Sequence, residues 1–375
     1  MKNKIAILTQ PLGNNYGGII QNYALQKVLK DMGYEPLTID RGEKKRYSDI
    51  RLILSYVKAI IYRSILNKSA LTPSDRKAIS QHTRVFIGEE IKISPLIQTT
   101  GDLAMYFEEQ KFGAVVVGSD QTWRPKYSPA IFNFYLDFLS GNKMIQKIAY
   151  ASSFGTAEWE YTVEETEKAK KLIQEFDAVS VRENSGVDLC RKYLDAEAVH
   201  VLDPTLLLTA EDYSQLIKKP KENKGLFTYV LDDSPQKMEF IRNSAQKLGL
   251  KYTSSQAKHK FDPAVKRPVS DYVLPPLENW LQGFRDAEFV ITDSFHGTVF
   301  SIINQKPFLS LVNKARGASR FESFLGQLGL TDRLVYEVTD FDVKKLSESI
   351  DYEAVVSKLE NLKSESISFL KSSLK

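Results

Sequence analysis

The chain has 375 residues, of which 42% are hydrophobic and 26% charged, and its formal net charge is +4 at pH 7. This composition is typical of a soluble globular protein and excludes a collagen-like, disulfide-scaffolded or intrinsically disordered chain. The small basic excess does not indicate nucleic-acid binding, although it would suit an anionic small ligand.

No segment predicts secretion or a membrane span. The first apolar run, 5–8, is too short for a signal peptide, and the single cysteine, Cys190, is expected to be a buried thiol in a reducing cytoplasm. The longest apolar neighbourhood, 51–66, is interrupted by Lys58 and Arg63. One interpretation is a core or lid helix. The other is a basic amphipathic helix in peripheral contact with the inner face of a membrane.

Strand-like and helix-like segments alternate along the chain, which predicts parallel sheets covered by helices. Strands are expected at 4–10, 35–40, 114–119, 147–153, 178–183 and 198–203, and then at 226–233, 288–294 and 307–313. The charged stretch 218–225 has the character of a linker. We therefore predict an α/β protein with an N-terminal Rossmann-like domain at 1–217, a second one at 225–340, and a helical tail at 341–375 that packs back on the first.

Two such domains would enclose a cleft at the carboxyl ends of their strands, where loops and helix N-termini converge. The loop after the first strand, GNNYGGIIQN at 13–22, has glycines that let its backbone approach a ligand closely. It is either a binding loop or merely a tight turn between strand and helix. Its candidate binding residues are Asn14, Asn15, Gly17, Gly18, Gln21 and Asn22.

A second polar loop, GSDQTW at 118–123, ends the strand that begins at Ala114. Carboxylate and amide groups hold sugar hydroxyls, and an indole covers the apolar face of a sugar ring, so Asp120, Gln121 and Trp123 predict a saccharide site. The alternative is that Asp120 caps a turn and Trp123 packs at the surface.

Charged residues also follow two later strands. Arg182 and Glu183 end the strand in SVRENSG, and arginine suits forked binding of a carboxylate or phosphate. A purely structural role for this pair is the alternative. Asp203 in VLDPTLL precedes a proline and is expected to be a turn or hinge residue.

The segment ITDSFHGT at 291–298 places one of only four histidines, His296, where a strand becomes a helix. Helix N–H groups would bind an anion there, and the imidazole could transfer a proton; a structural histidine is the alternative. The candidate residues of this turn are Ser294, His296, Gly297 and Thr298. Farther on, three cations would close over a polyanion or form a solvated loop: Lys314, Arg316 and Arg320.

Several common catalytic motifs are absent. The sequence has no CxxC, HExxH or GxSxG motif and no kinase signature, which removes support for metallohydrolase, serine hydrolase and kinase functions. We expect neither a bound metal nor a resident cofactor.

Five segments in order make the chain resemble the polysaccharide pyruvyl transferase family over about residues 5–330: GNNYGGIIQNYAL, VVVGSDQTW, SVRENSG, VLDPTLLL and ITDSFHGTVFSI. The resemblance implies two Rossmann-like domains facing a central cleft, as in the GT-B glycosyltransferases. It implies phosphoenolpyruvate as co-substrate and a free or lipid-linked saccharide as acceptor. The acceptor would receive pyruvate as a cyclic ketal in capsule, exopolysaccharide or cell-wall polymer synthesis.

The family pattern assigns Arg182 and His296 to donor binding and His296 to acid-base catalysis. Asp120 and Glu183 are expected as alternative bases. Some members have an arginine where this chain has Ser294. The second cation for the donor is therefore expected from Arg320, Arg316 or Lys314.

Two other functions remain open. A nucleotide-sugar glycosyltransferase of the same fold would need a ribose-binding carboxylate in the second lobe, and none is evident. A non-catalytic saccharide-binding relative would keep Asp120 and Trp123 without needing His296. Nucleic acid is not an expected partner, and a homo-oligomer is compatible with the sequence.

Overall fold

A computed structural model describes residues 3–42, 49–66, 68–128, 130–218, 224–312 and 318–374. The first lobe contains a six-stranded sheet in the order β2-β1-β3-β4-β5-β6, in which all neighbouring strands are parallel. Helices cover both faces, so the strands are nearly continuous apolar runs. The strands are β1 (Lys4–Leu8), β2 (Glu35–Thr38), β3 (Ala114–Val117), β4 (Gln146–Ser152), β5 (Ala178–Val181) and β6 (Val199–His200).

The second lobe contains a five-stranded parallel sheet in the order β11-β10-β9-β7-β8. Its strands are β7 (Leu226–Tyr229), β8 (Tyr252–Ser254), β9 (Phe289–Thr292), β10 (Phe308–Leu311) and β11 (Leu334–Val335). The sequence analysis predicted every strand of the two sheets except β8 and β11. The structure therefore has the predicted α/β class, with one parallel sheet in each lobe.

The described α-helices run between the strands and at the end of the chain. They are α1 (Tyr16–Asp31), α2 (Asp49–Ser64), α3 (Pro73–Ile79), α4 (Gln81–Glu90), α5 (Thr100–Gln110), α6 (Val163–Ile173), α7 (Asn184–Leu189), α8 (Ala210–Ser214), α9 (Pro235–Leu248), α10 (Leu277–Asp286), α11 (Phe295–Ile303), α12 (Ser319–Leu328) and α13 (Tyr352–Ser373). Local signals set their ends. Helix α9 begins after the N-cap Ser234, has Pro235 in its first turn, and ends at the left-handed Gly249.

The lobes pack on each other through aromatic side chains. Tyr16 at the start of α1 stacks on Tyr229 at a ring distance of 6.2 Å, and Tyr229 meets the edge of Trp280 at 5.5 Å. The hydroxyl of Tyr16 also donates a hydrogen bond to the carbonyl of Pro275. These contacts fix the first turn of α1 against the second lobe.

Helix α13 returns to the first lobe. The N–H of Leu202 donates to Oγ of Ser366 at 3.0 Å, the hydroxyl of Tyr34 donates to the carbonyl of Leu374 at 2.9 Å, and the Phe369 ring lies 6.3 Å from that of Tyr150. The last helix thus packs on the first lobe, beside β4 and the turn at Pro204–Leu207.

A cavity of about 1240 Å³ lies between the lobes. From the first lobe it is lined by Tyr16 and Arg84, and from the second by Tyr229, Lys258 and Tyr272, among others. The strands of both sheets point their carboxyl ends toward this region, which is where open α/β sheets bind ligands.

Candidate active site

A buried carboxylate, Asp203, organises the polar centre between the lobes. One of its oxygens, Oδ1, accepts hydrogen bonds from the N–H and hydroxyl of Thr205 at 3.0 and 2.7 Å and so caps the turn that follows. The other oxygen, Oδ2, accepts a bond from Nη1 of Arg182 at 2.8 Å and one from Nε2 of Gln21. It also lies 3.5 Å from Nε2 of His296. Asp203 therefore contacts an arginine of the first lobe and a histidine of the second.

The charge state of Asp203 follows from these contacts. Burial opposes ionisation, but the charges of His296 and Arg182 and their hydrogen bonds outweigh it and hold the pKa of Asp203 well below its ordinary value. The sequence analysis expected only a turn residue here. That role is real for Oδ1, but Oδ2 belongs to the site, and its only sequence signal was its place at a strand end.

The imidazole of His296 lies against the first turn of α1. A Cβ atom added to Gly17 would be 2.2 Å from Nδ1 of His296, a distance that real Cβ atoms essentially never show. Only glycine fits at this position without displacing the ring. The structure thus brings together the first glycine-rich loop and His296, two segments that the sequence analysis predicted to meet at one cleft.

Arg182 is held between carboxylates at the end of β5. It is buried, its Nη1 bonds to Asp203, and its Nη2 lies 3.7 Å from Oδ1 of Asp120. Its Nε and Nη2 atoms make no hydrogen bond within the described part of the chain. A buried guanidinium with unused donors is suited to an anionic ligand.

A second buried arginine, Arg320, lies close to Arg182. Their guanidinium carbons are 5.6 and 5.1 Å from the centre of the Phe295 ring. Burial, together with the neighbouring charge of Arg182, lowers the pKa of Arg320 to about 10. Two buried cations near one ring would be stabilised by an anion between them. The other cations predicted for this role, Lys314 and Arg316, lie outside the described residues.

The start of helix α11 differs in detail from the prediction. Ser294 is its N-cap, and its Oγ accepts a hydrogen bond from the N–H of Gly297 at 3.3 Å. The N–H of Thr298 bonds to the carbonyl of Ser294, and Thr298 is completely buried. The predicted ligand contacts of Gly297 and Thr298 are therefore corrected, since both N–H groups are used inside the helix. The open N–H groups of this turn belong to Phe295 and His296.

Asp120 lies at the edge of the same centre and keeps part of its surface. Its side chain is 13% exposed, and its Oδ2 would be 3.5 Å from a Cβ atom at Gly18.

Glu183, the other predicted base, is completely buried. Its Oε1 accepts bonds from Ser153 and from the N–H groups of Phe154 and Gly155. Glu183 thus holds a turn through Oε1, whereas its Oε2 makes no hydrogen bond among the described residues, and its assignment as a base stays a prediction.

The predicted saccharide platform at Trp123 is wrong. Trp123 is 0% exposed, its ring stacks on Tyr135 at 5.2 Å, and its indole N–H donates to the carbonyl of Phe134 at 3.0 Å. No face of the indole can reach a sugar. Gln121 is partly exposed, and its Oε1 accepts a bond from Arg124.

The first loop divides into buried and accessible residues. Gln21 and Asn22 are buried: Gln21 bonds to Asp203, and Oδ1 of Asn22 accepts from the hydroxyl of Thr38. Nδ2 of Asn22 makes no hydrogen bond within the described ranges, and the contact of these two residues with an acceptor stays a prediction. Asn14 and Asn15 are exposed, and Asn14 lines the large cavity.

Among the described residues, no group of three or more His, Cys, Asp or Glu side chains is arranged to hold a metal ion. The donors of the centre are instead guanidinium, imidazole and helix N–H groups, whose chemistry is that of an anion site with a proton-transfer group beside it.

Two parallel-sheet lobes with a cleft at their strand ends define the GT-B architecture of glycosyltransferases. UGT89C1 of Arabidopsis thaliana, solved with UDP-L-rhamnose, has 11% identity and a TM-score of 0.50, and the match covers 99% of this chain and 98% of that chain. The glycosyltransferase SnogD of Streptomyces nogalater has 10% identity and a TM-score of 0.43, with both chains covered completely. At 11% identity the likeness to UGT89C1 shows the fold alone.

The family is shown by the sequence itself. A family model described as polysaccharide pyruvyl transferase matches residues 15–314, so this chain belongs to the polysaccharide pyruvyl transferase family, a family of transferases. The matched region includes the first turn of α1, Arg182, Asp203 and His296. No curated protein gives a significant match to the chain.

Proposed function

We propose that the chain transfers the pyruvate unit of phosphoenolpyruvate to two hydroxyls of a saccharide, forms a cyclic ketal and releases phosphate. The observation behind the proposal is the meeting of Arg182 and Arg320, both buried, with His296 at the open end of α11. Phosphoenolpyruvate has a phosphate and a carboxylate on three carbons, and this set of donors matches two adjacent anionic groups. The product would enter capsule, exopolysaccharide or cell-wall polymer synthesis.

The donor would lie between the arginines and the first turn of α11. Nε and Nη2 of Arg182 would bind one anionic group, and Arg320 with the N–H groups of Phe295 and His296 would bind the other. Ser294 contributes by capping the helix rather than by contacting the donor. Arg320 would supply the cation that some family members have at the position of Ser294.

The proposed reaction begins with proton transfer from the imidazole of His296 to the methylene carbon of the donor. The central carbon becomes an oxocarbenium-like centre, a saccharide hydroxyl adds to it, and a base takes the hydroxyl proton. The C–O bond to phosphate then breaks, phosphate leaves, and a second hydroxyl closes the ketal and gives its proton to the departing phosphate. Asp203 keeps the imidazole in position, and the partly exposed Asp120 is the carboxylate placed to accept a proton.

The acceptor would occupy the cavity of about 1240 Å³ next to this centre. Tyr16 lines the cavity and directly precedes Gly17, which contacts His296, so the cavity and the donor site share the first turn of α1. Tyrosine rings and the amide of Asn14 provide the mixture of apolar and polar contacts that sugars require. Phosphoenolpyruvate is a cytoplasmic metabolite, and we propose the cytoplasm as the place of reaction.

The test is phosphate release from phosphoenolpyruvate in the presence of a panel of β-galactosides and lipid-linked saccharides. We expect the His296→Ala variant to lose about 10²–10⁴ in rate because it lacks the acid-base group. His82→Ala is the matched control and should keep the wild-type rate, because His82 lies on α4 but is not one of the residues that line the cavity.

Retention of activity by folded His296→Ala would contradict the mechanism. Absence of phosphate release with every acceptor, together with binding of a nucleotide sugar, would replace the proposal by nucleotide-sugar glycosyl transfer. Binding of saccharides with neither activity would indicate a non-catalytic saccharide-binding protein.

A further inference from the structure

Helix α2 presents an apolar stripe to solvent. The stripe follows helical spacing, so its side chains share one side of the helix and of the turn that continues it. Ile60 is 63% exposed and Ile65 is 74% exposed. Among the described side chains of the helix, only Ala59 is buried. The apolar stripe consists of Ile53, Leu54, Val57, Ile60, Ile61 and Ile65.

An exposed apolar surface of this extent is costly in water and indicates a binding partner. Residues placed only for packing would turn inward, yet here the small Ala59 faces the protein and the large side chains face out. A lid that closed on the protein would need this stripe to turn toward the cavity. In the structure the cavity wall is formed instead by the residues that follow α2, such as Leu71, Arg76 and Ile79.

The surroundings of the apolar stripe are basic. Lys58 and Lys68 are exposed beside it, and Ser69, just after the helix, bonds to a second-lobe loop that adds the exposed Lys266 and Arg267. Of the nearby acids, Asp75 is bound by Arg63 at 2.6 Å, and the exposed Asp262 shares its loop with Lys266 and Arg267. In the sequence, the stretch 44–68 has Asp49 as its only acid, against the bases Lys44, Lys45, Arg46, Arg51, Lys58, Arg63 and Lys68.

We propose that α2 docks on an anionic phospholipid surface, with its axis in the plane of the interface. Helices with an apolar face and basic flanks bind in this way, and the affinity grows with the buried apolar area and the attraction to anionic lipid. Tyr56 and Tyr62 in the helix are residue types that favour the headgroup region. Within the described ranges, none of the helices combines the length and apolar character needed to cross a bilayer.

Charge separates this partner from a second copy of the chain. A symmetric pairing of two apolar stripes would bring Lys58 and Lys68 of one copy near the same residues of the other, and like charges at a contact oppose association. Phosphatidylglycerol headgroups have the complementary sign. The lipid surface therefore fits both the apolar and the charged parts of this face.

The inference does not depend on the donor chemistry. Under the function proposed above, it has one consequence. The chain that follows α2 contributes Leu71, Arg76 and Ile79 to the cavity wall, and Leu71 is seven residues beyond the helix end at Ser64. Docking would hold the proposed acceptor cavity near a membrane, where a lipid-linked saccharide is presented.

The test is flotation of the full chain with phosphatidylglycerol–phosphatidylcholine vesicles, beside vesicles of phosphatidylcholine alone. We expect binding to the anionic vesicles and little to the neutral ones. The double variant Ile53→Asp/Ile60→Asp should weaken binding by about 100-fold, because it removes two large apolar groups from the interface and adds negative charge. Both positions are exposed, so circular dichroism should show an unchanged fold.

A control variant and a measurement of the oligomeric state keep the result interpretable. Met144→Asp adds one negative charge at an exposed apolar residue outside α2, half the charge that the double variant adds, and should bind as the wild type does. Equal binding of wild type and the double variant, or no flotation with anionic vesicles, would overturn the proposal. A dimer in sedimentation velocity that the double variant converts to a monomer, without vesicle binding, would assign the surface to a second copy instead. Phosphate release in solution is measured separately and does not decide between these outcomes.

Discussion

Asp203 shows how one carboxylate can serve both the fold and the site. Its Oδ1 stabilises the turn before Thr205, and its Oδ2 pairs with Arg182 from the first lobe and approaches His296 from the second. Removing a partner from a buried ion pair leaves an uncompensated charge. The positions of Asp203, Arg182 and His296 therefore depend on one another. The geometry of His296 is thus set by residues on both sides of the cleft.

Gly17 provides a test of that geometry at the scale of one atom. The Gly17→Ala variant adds a Cβ atom 2.2 Å from Nδ1 of His296, so the ring or the helix must move. A displacement of about 1 Å at a catalytic group costs about 10² in rate, and we expect kcat for phosphate release to fall by that factor. The measurement is steady-state kinetics with phosphoenolpyruvate.

Gly326→Ala is the matched control, because Gly326 is also helical and has nothing within 4 Å of an added Cβ atom. Its kcat should equal that of the wild type. A wild-type kcat for Gly17→Ala would mean that the contact between α1 and His296 has no role in catalysis.

The site could be predicted from the sequence only where strand ends and residue chemistry coincide. Arg182 and His296 follow buried strands, and topology alone brings such residues toward one cleft. Asp203 was missed as a site residue because its proline neighbour already explained it as a turn. The contact of Arg320 with the Phe295 ring depends on how α12 packs on α11, and no local pattern encodes that arrangement.

At the scale of elements, buried parallel strands were the most predictable part of the fold. They are apolar runs bounded by turn residues, whereas β8 and β11 are edge strands of three and two residues with no distinct pattern. For the loop after β3, in contrast, the sequence predicted a feature that the structure does not contain. Its polar and aromatic residues suggested a sugar platform, but burial depends on the packing of Tyr135 and Phe154, which comes from later segments.

The Trp123→Phe variant separates the two roles of that loop. Phenylalanine keeps an aromatic ring beside Tyr135 but loses the hydrogen bond to Phe134 and part of the indole volume. We expect the free energy of unfolding to fall by about 1–3 kcal/mol in urea titrations, while KM for the saccharide stays unchanged. A large rise in the saccharide KM without loss of stability would restore Trp123 as a contact for the acceptor.

At the scale of the molecule, the lobes are not independent. One continuous apolar cluster contains Ile20 of α1, Phe300 of α11 and Leu370 of α13. The alternation of strands and helices predicted two lobes, the family resemblance implied their GT-B arrangement, and the helical tail was expected to fold back. The aromatic contacts of Tyr16 with the second lobe fall outside any periodic pattern, because they join residues more than 200 positions apart.

Helix α13 in the C-terminal tail allows the dependence of the first lobe on the rest of the chain to be measured. Leu370 is 0% exposed in the shared cluster, so Leu370→Asp buries a charge without a partner and should lower the stability of the first lobe by about 4 kcal/mol. Ser372→Asp, two residues on and exposed, should stay within about 0.5 kcal/mol of the wild type. Hydrogen exchange followed by mass spectrometry should show lost protection in the strands of the first sheet, beside Tyr150, before those of the second. If the exchange of β1, β3 and β4 is unchanged in Leu370→Asp, α13 does not stabilise the first lobe, and that lobe folds without the end of the chain.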